Sequence, residues 1–210
     1  MYKQSGARVR LLLTAMCLFI VFLLAAIIMG SIGVGGNISY LTTDTGCMLY
    51  MTVDNKVPLY HASYCQFPVI GAAVISVFAV LFLGYWAAVA HRYDEYAPVI
   101  VSQIFMVIAI MMTVLSFAIC GEIGIGLSIG CQSIAPGGGM SGCQTATSGF
   151  QALYTGQVSA GLMGGFWIVA IVLEYVQFKY QPEYDADPYN TQQQAYGQNN
   201  ESTTATDYVN

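Results

Sequence analysis

Residues 11–29 read LLLTAMCLFIVFLLAAIIM, from Leu11 to Met29, with no charged side chain and Thr14 as the one polar residue. Such a run supplies the ~20 residues a helix needs to cross ~30 Å of hydrocarbon. Three further runs share its character: Phe67 to Ala90, apolar but for Ser76 and with Tyr85 and Trp86 towards its end; Val99 to Ile119; and Ala152 to Phe178. Inside lipid every backbone N–H and C=O must be paired within its own segment, so each run is expected to be helical. The period-2 alternation of a membrane barrel is absent. The fold class that follows is an all-α membrane protein: a four-transmembrane-helix bundle with a small extracellular β-hairpin and a disordered C-terminal tail.

Composition points the same way. Of 210 residues, 56% are hydrophobic and 8% charged, against about 25% charged in a soluble domain. The net charge of −5 does not describe an acidic surface, because Glu183, Asp185, Asp187, Glu201 and Asp207 all fall in the tail. The few Lys and Arg form no basic patch, which excludes nucleic acid as a partner. The lipid bilayer is the first partner.

Orientation is read from the basic residues. Lys3, Arg8 and Arg10 precede the first span, Arg92 lies between the second and third, and Lys179 follows the fourth; Lys56 alone falls in an outer loop. The positive-inside rule then puts both termini in the cytosol, in a plasma or vesicle membrane. A cleaved signal peptide ending near Gly33–Gly36 is the competing reading, but its apolar run would exceed the usual ~7–15 residues. The chain divides into a cytosolic N-terminus (1–10), span 1 (11–34), outer loop 1 (35–66), span 2 (67–90), a cytosolic turn (91–97), span 3 (98–126), outer loop 2 (127–149), span 4 (150–178) and a cytosolic tail (179–210).

The short turn has no room for a catalytic domain, and Pro98 suits the first turn of helix three. In outer loop 1, β-branched and aromatic residues of 47–53 and 57–60 flank Asp54-Asn55-Lys56 and predict a hairpin, with Pro58 on an edge. Outer loop 2 is Gly- and Ser-rich. Cys47 and Cys65 lie in the first loop, Cys131 and Cys143 in the second, and Cys17 and Cys120 inside spans. Four cysteines facing an oxidising compartment are expected to pair. Three connectivities exist, and one bridge within each loop, closing a local segment, is preferred. Zinc at His61 and Cys65 lacks a four-ligand set. Asn37-Ile38-Ser39 is a glycosylation sequon on the outer side.

No constellation carries chemistry. Gly124-Ile125-Gly126 and its neighbours imitate a dinucleotide-binding pattern without a strand or βαβ unit, and Pro136-Gly137-Gly138-Gly139 lacks the Lys of a phosphate loop. His61 and His91 fall on opposite sides of the membrane, so no Ser–His or Cys–His pair forms through them. The chain reads as no enzyme, with no cofactor and no metal. Glu122 and Glu174, near opposite ends of their helices, are expected to reach interfacial water, the alternative being a partner contact or ion path. In helix four, Gly156, Ala160 and Gly164 recur every four residues, as do Gly161 and Gly165, a spacing that lets helix backbones approach closely. Packing within the bundle is the plainer reading; a membrane-protein partner or self-association through helix four is the other. The tail carries five tyrosines, Gln and Asn tracts and few aliphatics, and cannot bury enough apolar area to order itself. Tyr208-Val209-Asn210 has the Tyr-x-Asn spacing of some phosphotyrosine ligands, making Tyr208 and Asn210 candidates for docking a cytosolic adaptor.

Several of these segments, namely Gly46-Cys47-Met48-Leu49-Tyr50, Tyr64-Cys65-Gln66-Phe67, residues 126–134 (GLSIGCQSI), Ser141-Gly142-Cys143 and the Tyr154/Gln157 pair, resemble the transmembrane protein 179 family across roughly Leu11 to Tyr180. The topology and the Tyr/Gln-rich tail are also similar to the synaptophysin and synaptogyrin (MARVEL-type) tetraspans. Both resemblances imply a small non-catalytic membrane organiser or accessory protein, in vesicle traffic, at cell contacts or beside a channel or receptor. A small transporter or channel subunit is the alternative.

Overall fold

The computed structural model describes residues 2–35, 37–39, 45–47, 49–50, 52–54, 57–59, 63–91, 99–134 and 149–185. Among the described residues four helices make up the architecture: α1 Tyr2–Gly35, α2 Ser63–His91, α3 Val99–Ile134 and α4 Phe150–Asp185. Each is long and apolar enough to cross a membrane, over Val9–Gly33, Tyr64–Val89, Ile100–Ser133 and Phe150–Gln177. The class is all-helical, and the chain reads as an integral multi-pass membrane protein.

The helices outrun the apolar segments that announce them. α3 continues past residue 126 to Ile134, and α4 past residue 178 to Asp185. At ~1.5 Å per residue the 36 residues of α3 extend about 54 Å, well beyond ~30 Å of hydrocarbon. Burial accounts for the extension of α3: Leu127 and Cys131, on one face four residues apart, are covered by protein. α2 starts at Ser63 rather than residue 67, with Pro68 inside it.

Between α1 and α2 the chain forms two short antiparallel ladders. β1 (Asn37–Ser39) pairs with β2 (Thr45–Cys47), Ile38 opposite Gly46; β3 (Thr52–Asp54) pairs with β4 (Val57–Leu59), Val53 opposite Pro58. Proline is tolerated there because a two-stranded ladder has only edge strands. These ladders mark the ribbon end of the bundle; the opposite end, where α1 begins and α4 finishes, is the tail end.

α1 packs closely along α2 and α4, and α3 along α4, whereas the α2 and α3 backbones approach each other far less. Side-chain size explains the difference. Along α4 a Cβ on Gly156 would lie 2.6 Å from Ser31 Oγ of α1, and one on Gly164 3.0 Å from the Phe117 ring of α3. Only glycine admits such proximity. Towards the tail end of the α2–α3 seam stand large rings, Phe105 meeting Phe82 at 4.9 Å and Trp86 at 5.7 Å between centroids, both edge to face. Such pairs contribute about 0.5–1.5 kcal/mol beyond their area. Further along the seam Gly71 of α2 faces Ile119, whose Cδ1 would lie 2.8 Å from a Cβ there.

The bundle encloses several polar side chains within its apolar core and turns large apolar ones outward. Thr14, Ser102, Ser116, Ser159, Glu174 and Gln177 are buried, while Ile100, Ile104, Val107, Ile110, Met111 and Val114 project outward from α3 alone. A soluble fold sorts its residues the other way. Thr14 and Ser116 donate to the carbonyls of Arg10 and Met112, one turn back, so their hydroxyls cost little in an apolar setting.

Candidate functional site

Two sites stand out, one at each end. At the ribbon end, Leu49 and Tyr50 plug into the side of α3. Leu49 is fully buried, and the Tyr50 amide donates to the Gly126 carbonyl at 3.1 Å. A Cβ on Gly126 would sit 2.9 Å from Tyr50 Cε2 and 3.1 Å from Leu49 Cβ, so the contact requires glycine. Tyr50 also takes a φ of 59°, a left-handed conformation that costs a bulky residue of order 1–3 kcal/mol and persists only where its surroundings impose it. Its ring lies 4.6 Å from that of Tyr64 at the start of α2. Burial first, then the charge and hydrogen bonding of Glu122, push the Tyr50 phenol above its usual value. One residue thus joins the first inter-helix segment to both α2 and α3.

At the tail end, α4 turns two polar side chains into the bundle. Glu174 is 1% exposed and Gln177, a turn later, 6%. The Ser102 hydroxyl of α3 donates to Glu174 Oε1. Among the described residues, Glu174 Oε2 and Gln177 Oε1 have no hydrogen-bond partner, nor do the indole nitrogens of Trp86 and Trp167. Trp167 stands against Phe105, 6.4 Å between centroids, closing the cluster towards the middle of the bundle. Glu174 therefore does not reach interfacial water as its place in the sequence suggested: side chains from its neighbours cover it, because the face of α4 that carries Ala170 also carries Glu174. Glu122 is half-buried and faces Tyr50 rather than standing alone.

Cys65 and Cys131 are disulfide-bonded, whereas Cys17 and Cys120 are free. Cys47 ends β2, directly opposite Asn37 of β1; the side chains of Cys47 and Asn37 lie outside the described residues, as does the whole of Cys143. Tyr208 and Asn210 lie outside them too. In α4, Gly156 and Gly164 are covered by α1 and α3, Ala160 is fully buried, and a Cβ on Gly161 would touch Cys120 Sγ at 3.6 Å. Gly165 alone of the five has open space before it. The close-packing stripe is thus occupied within the chain. Among the described residues, no three His, Cys, Asp or Glu side chains gather as a metal site.

Sequence reading missed the Ser102–Glu174 bond and the Tyr50–Gly126 contact. A hydroxyl and a carboxyl 72 residues apart carry no pairing signal. Gly124 and Gly126, which in sequence only imitate a dinucleotide-binding pattern, both make room for a side chain, Gly126 for Tyr50 and Gly124 for the Gln157 amide. No protein family, curated protein or solved structure matches this chain.

Proposed function

We propose that this chain is a non-catalytic four-pass membrane organiser or accessory protein, of the kind its resemblance to the transmembrane protein 179 family implies, acting in vesicle traffic, at cell contacts or beside a channel or receptor. The observation that carries this reading is the exterior. Large apolar side chains project from all four helices, among them Met16, Phe19, Ile70, Leu81, Met111, Leu162 and Val172. In a bilayer such faces contact lipid or a neighbouring helix, and association there is governed by packing rather than by hydrophobic burial.

In this reading both termini are cytosolic, following the basic residues, in a plasma or vesicle membrane. Bridges Cys47–Cys65 and Cys131–Cys143 brace the outer loops, and a small hairpin stands on the outer face beside the Asn37 sequon. The tail beyond α4 presents Tyr208 and Asn210 to an adaptor. Helix four offers a partner its open Gly165 face, since Gly156, Ala160 and Gly164 are already covered. A small transporter or channel subunit is the second reading, favoured by one observation: Glu174, a buried carboxyl in a membrane-crossing helix, is the kind of residue that marks ion or proton pathways.

The two readings separate in one paired experiment. Protein isolated in mild detergent should bring down a membrane-protein partner in stoichiometric amount, and liposomes holding it alone should pass ions and small solutes no faster than empty ones. Flux that requires only this chain would overturn the organiser reading. Removing residues 186–210 should leave insertion intact and change location or the recovered partners; unchanged location and partners would remove the tail from the account.

A further inference from the structure

We propose that the Glu174 carboxyl is a proton-binding site inside the bundle, its proton held on Oε2 and directed towards Gln177. The argument is an inventory of donors and acceptors. Ser102 Oγ–H already donates to Oε1. Oε2 of the same carboxyl and Oε1 of Gln177 are both buried acceptors that meet no donor among the described residues. An ionised carboxylate offers only acceptors, so it answers neither need; a protonated one turns Oε2 into a donor. Three residues apart on α4, Glu174 and Gln177 lie on the same helix face, and both are more than nine-tenths buried. One proton therefore satisfies Oε2 and supplies what Gln177 Oε1 lacks, directly or through a single bridging water.

The surroundings favour the neutral form. α3 presents Ser102 and Phe105, α4 carries Ala170 and Trp167, and α2 presents Tyr85, a titratable group near enough to feel a charge on Glu174. α1, packed along α4, carries the buried Thr14 and the half-buried Arg10 at the same end. An ionised carboxylate held by one hydroxyl in such a pocket lacks the compensation that buried charges need. The site's ligand is the proton itself. Releasing it would place a full charge between α3 and α4 at the tail end. This inference stands apart from the organiser reading, because it concerns what the bundle encloses rather than what its exterior meets.

The test is infrared spectroscopy of the purified full chain in lipid nanodiscs at neutral pH, where ionised surface carboxylates do not absorb in the carboxylic C=O region. The wild type should show a carboxylic C=O band that shifts in D2O and is lost in Glu174→Gln. Ser102→Ala, which removes the hydroxyl donating to Oε1 and leaves the acid in place, should move the same band to higher frequency. Gln177→Leu should move it as well, by removing the acceptor of the proton. If Glu174→Gln does not fold, the Ser102→Ala and Gln177→Leu shifts identify the band without it. Absence of the band from the wild type, or a band that Ser102→Ala and Gln177→Leu both leave unmoved, overturns the proposal.

Discussion

The amide of Tyr50 donates to the carbonyl of Gly126 at 3.1 Å, and the missing side chain of Gly126 leaves the space that the Tyr50 ring occupies. Backbone and ring use the same glycine, so the first inter-helix segment is hung on α3 at one point. Gly126→Ala should expel the ring and cost about 1–3 kcal/mol, the usual range for overpacking. Gly121→Ala, earlier on the same helix and facing open space, should leave stability unchanged or raise it by up to ~1 kcal/mol through helix propensity. Thermal unfolding in detergent, monitored by circular dichroism, compares the two. Equal effects would mean that the contact is incidental.

Tyr50 should also report on its own setting by pH. Burial and Glu122 hold its phenol above the usual value of 10.0, so the folded protein keeps this proton more tightly than the unfolded chain. Stability from the group is then complete below pH about 10 and falls as pH rises through the raised folded value. Phenolate absorbance, taken as wild type minus Tyr50→Phe, should show one tyrosine ionising later than an ordinary one. Glu122→Gln should lower it only part of the way, because burial, the larger cause, remains. A difference curve with an ordinary midpoint contradicts the contact.

These two residues show where sequence reading reaches and where it stops. Four spans were legible because hydrocarbon imposes length and apolarity on every helix, and Leu11 to Met29 has no other use. The small-residue spacing of Gly156, Ala160 and Gly164 was legible as a packing device, though its object was not, since Ser31 and Phe117 are brought to it only by the fold. Glu174 read as an interfacial anchor because hydropathy locates a residue along a helix and not around it. Rotation about the axis, which turns Glu174 to Ser102, is set by neighbours. The φ of Tyr50 lies further out of reach: nothing in Leu49-Tyr50-Met51 asks for a left-handed residue.

The stripe on α4 gives a third prediction. Gly164→Ile collides with the Phe117 ring, which already stands 3.0 Å from where a Cβ would be, and should destabilise the bundle by about 1–3 kcal/mol or more. Gly165→Ala meets nothing within 4 Å and should be tolerated. Both are read by protease resistance in detergent and by size-exclusion profile. A Gly164→Ile protein that stays folded and merely loses an oligomer would show that this stripe serves a second copy.

The fourth prediction concerns the cysteines. Non-reducing peptide mapping should recover Cys47 with Cys65 and Cys131 with Cys143, each bridge contributing ~3 kcal/mol for loops of this size, and should find Cys17 and Cys120 alkylated. A peptide that links the two loops to each other refutes the pairing.

The proposed topology is four crossings with both ends of the chain on the cytosolic face. The direct measurement is antibody access to epitope tags placed at residues 1 and 210, on intact and on permeabilised cells. Neither tag should be labelled on intact cells, and both should be labelled after permeabilisation. Labelling of one tag without permeabilisation would mean an odd number of crossings, and labelling of both an inverted chain; either result contradicts the account.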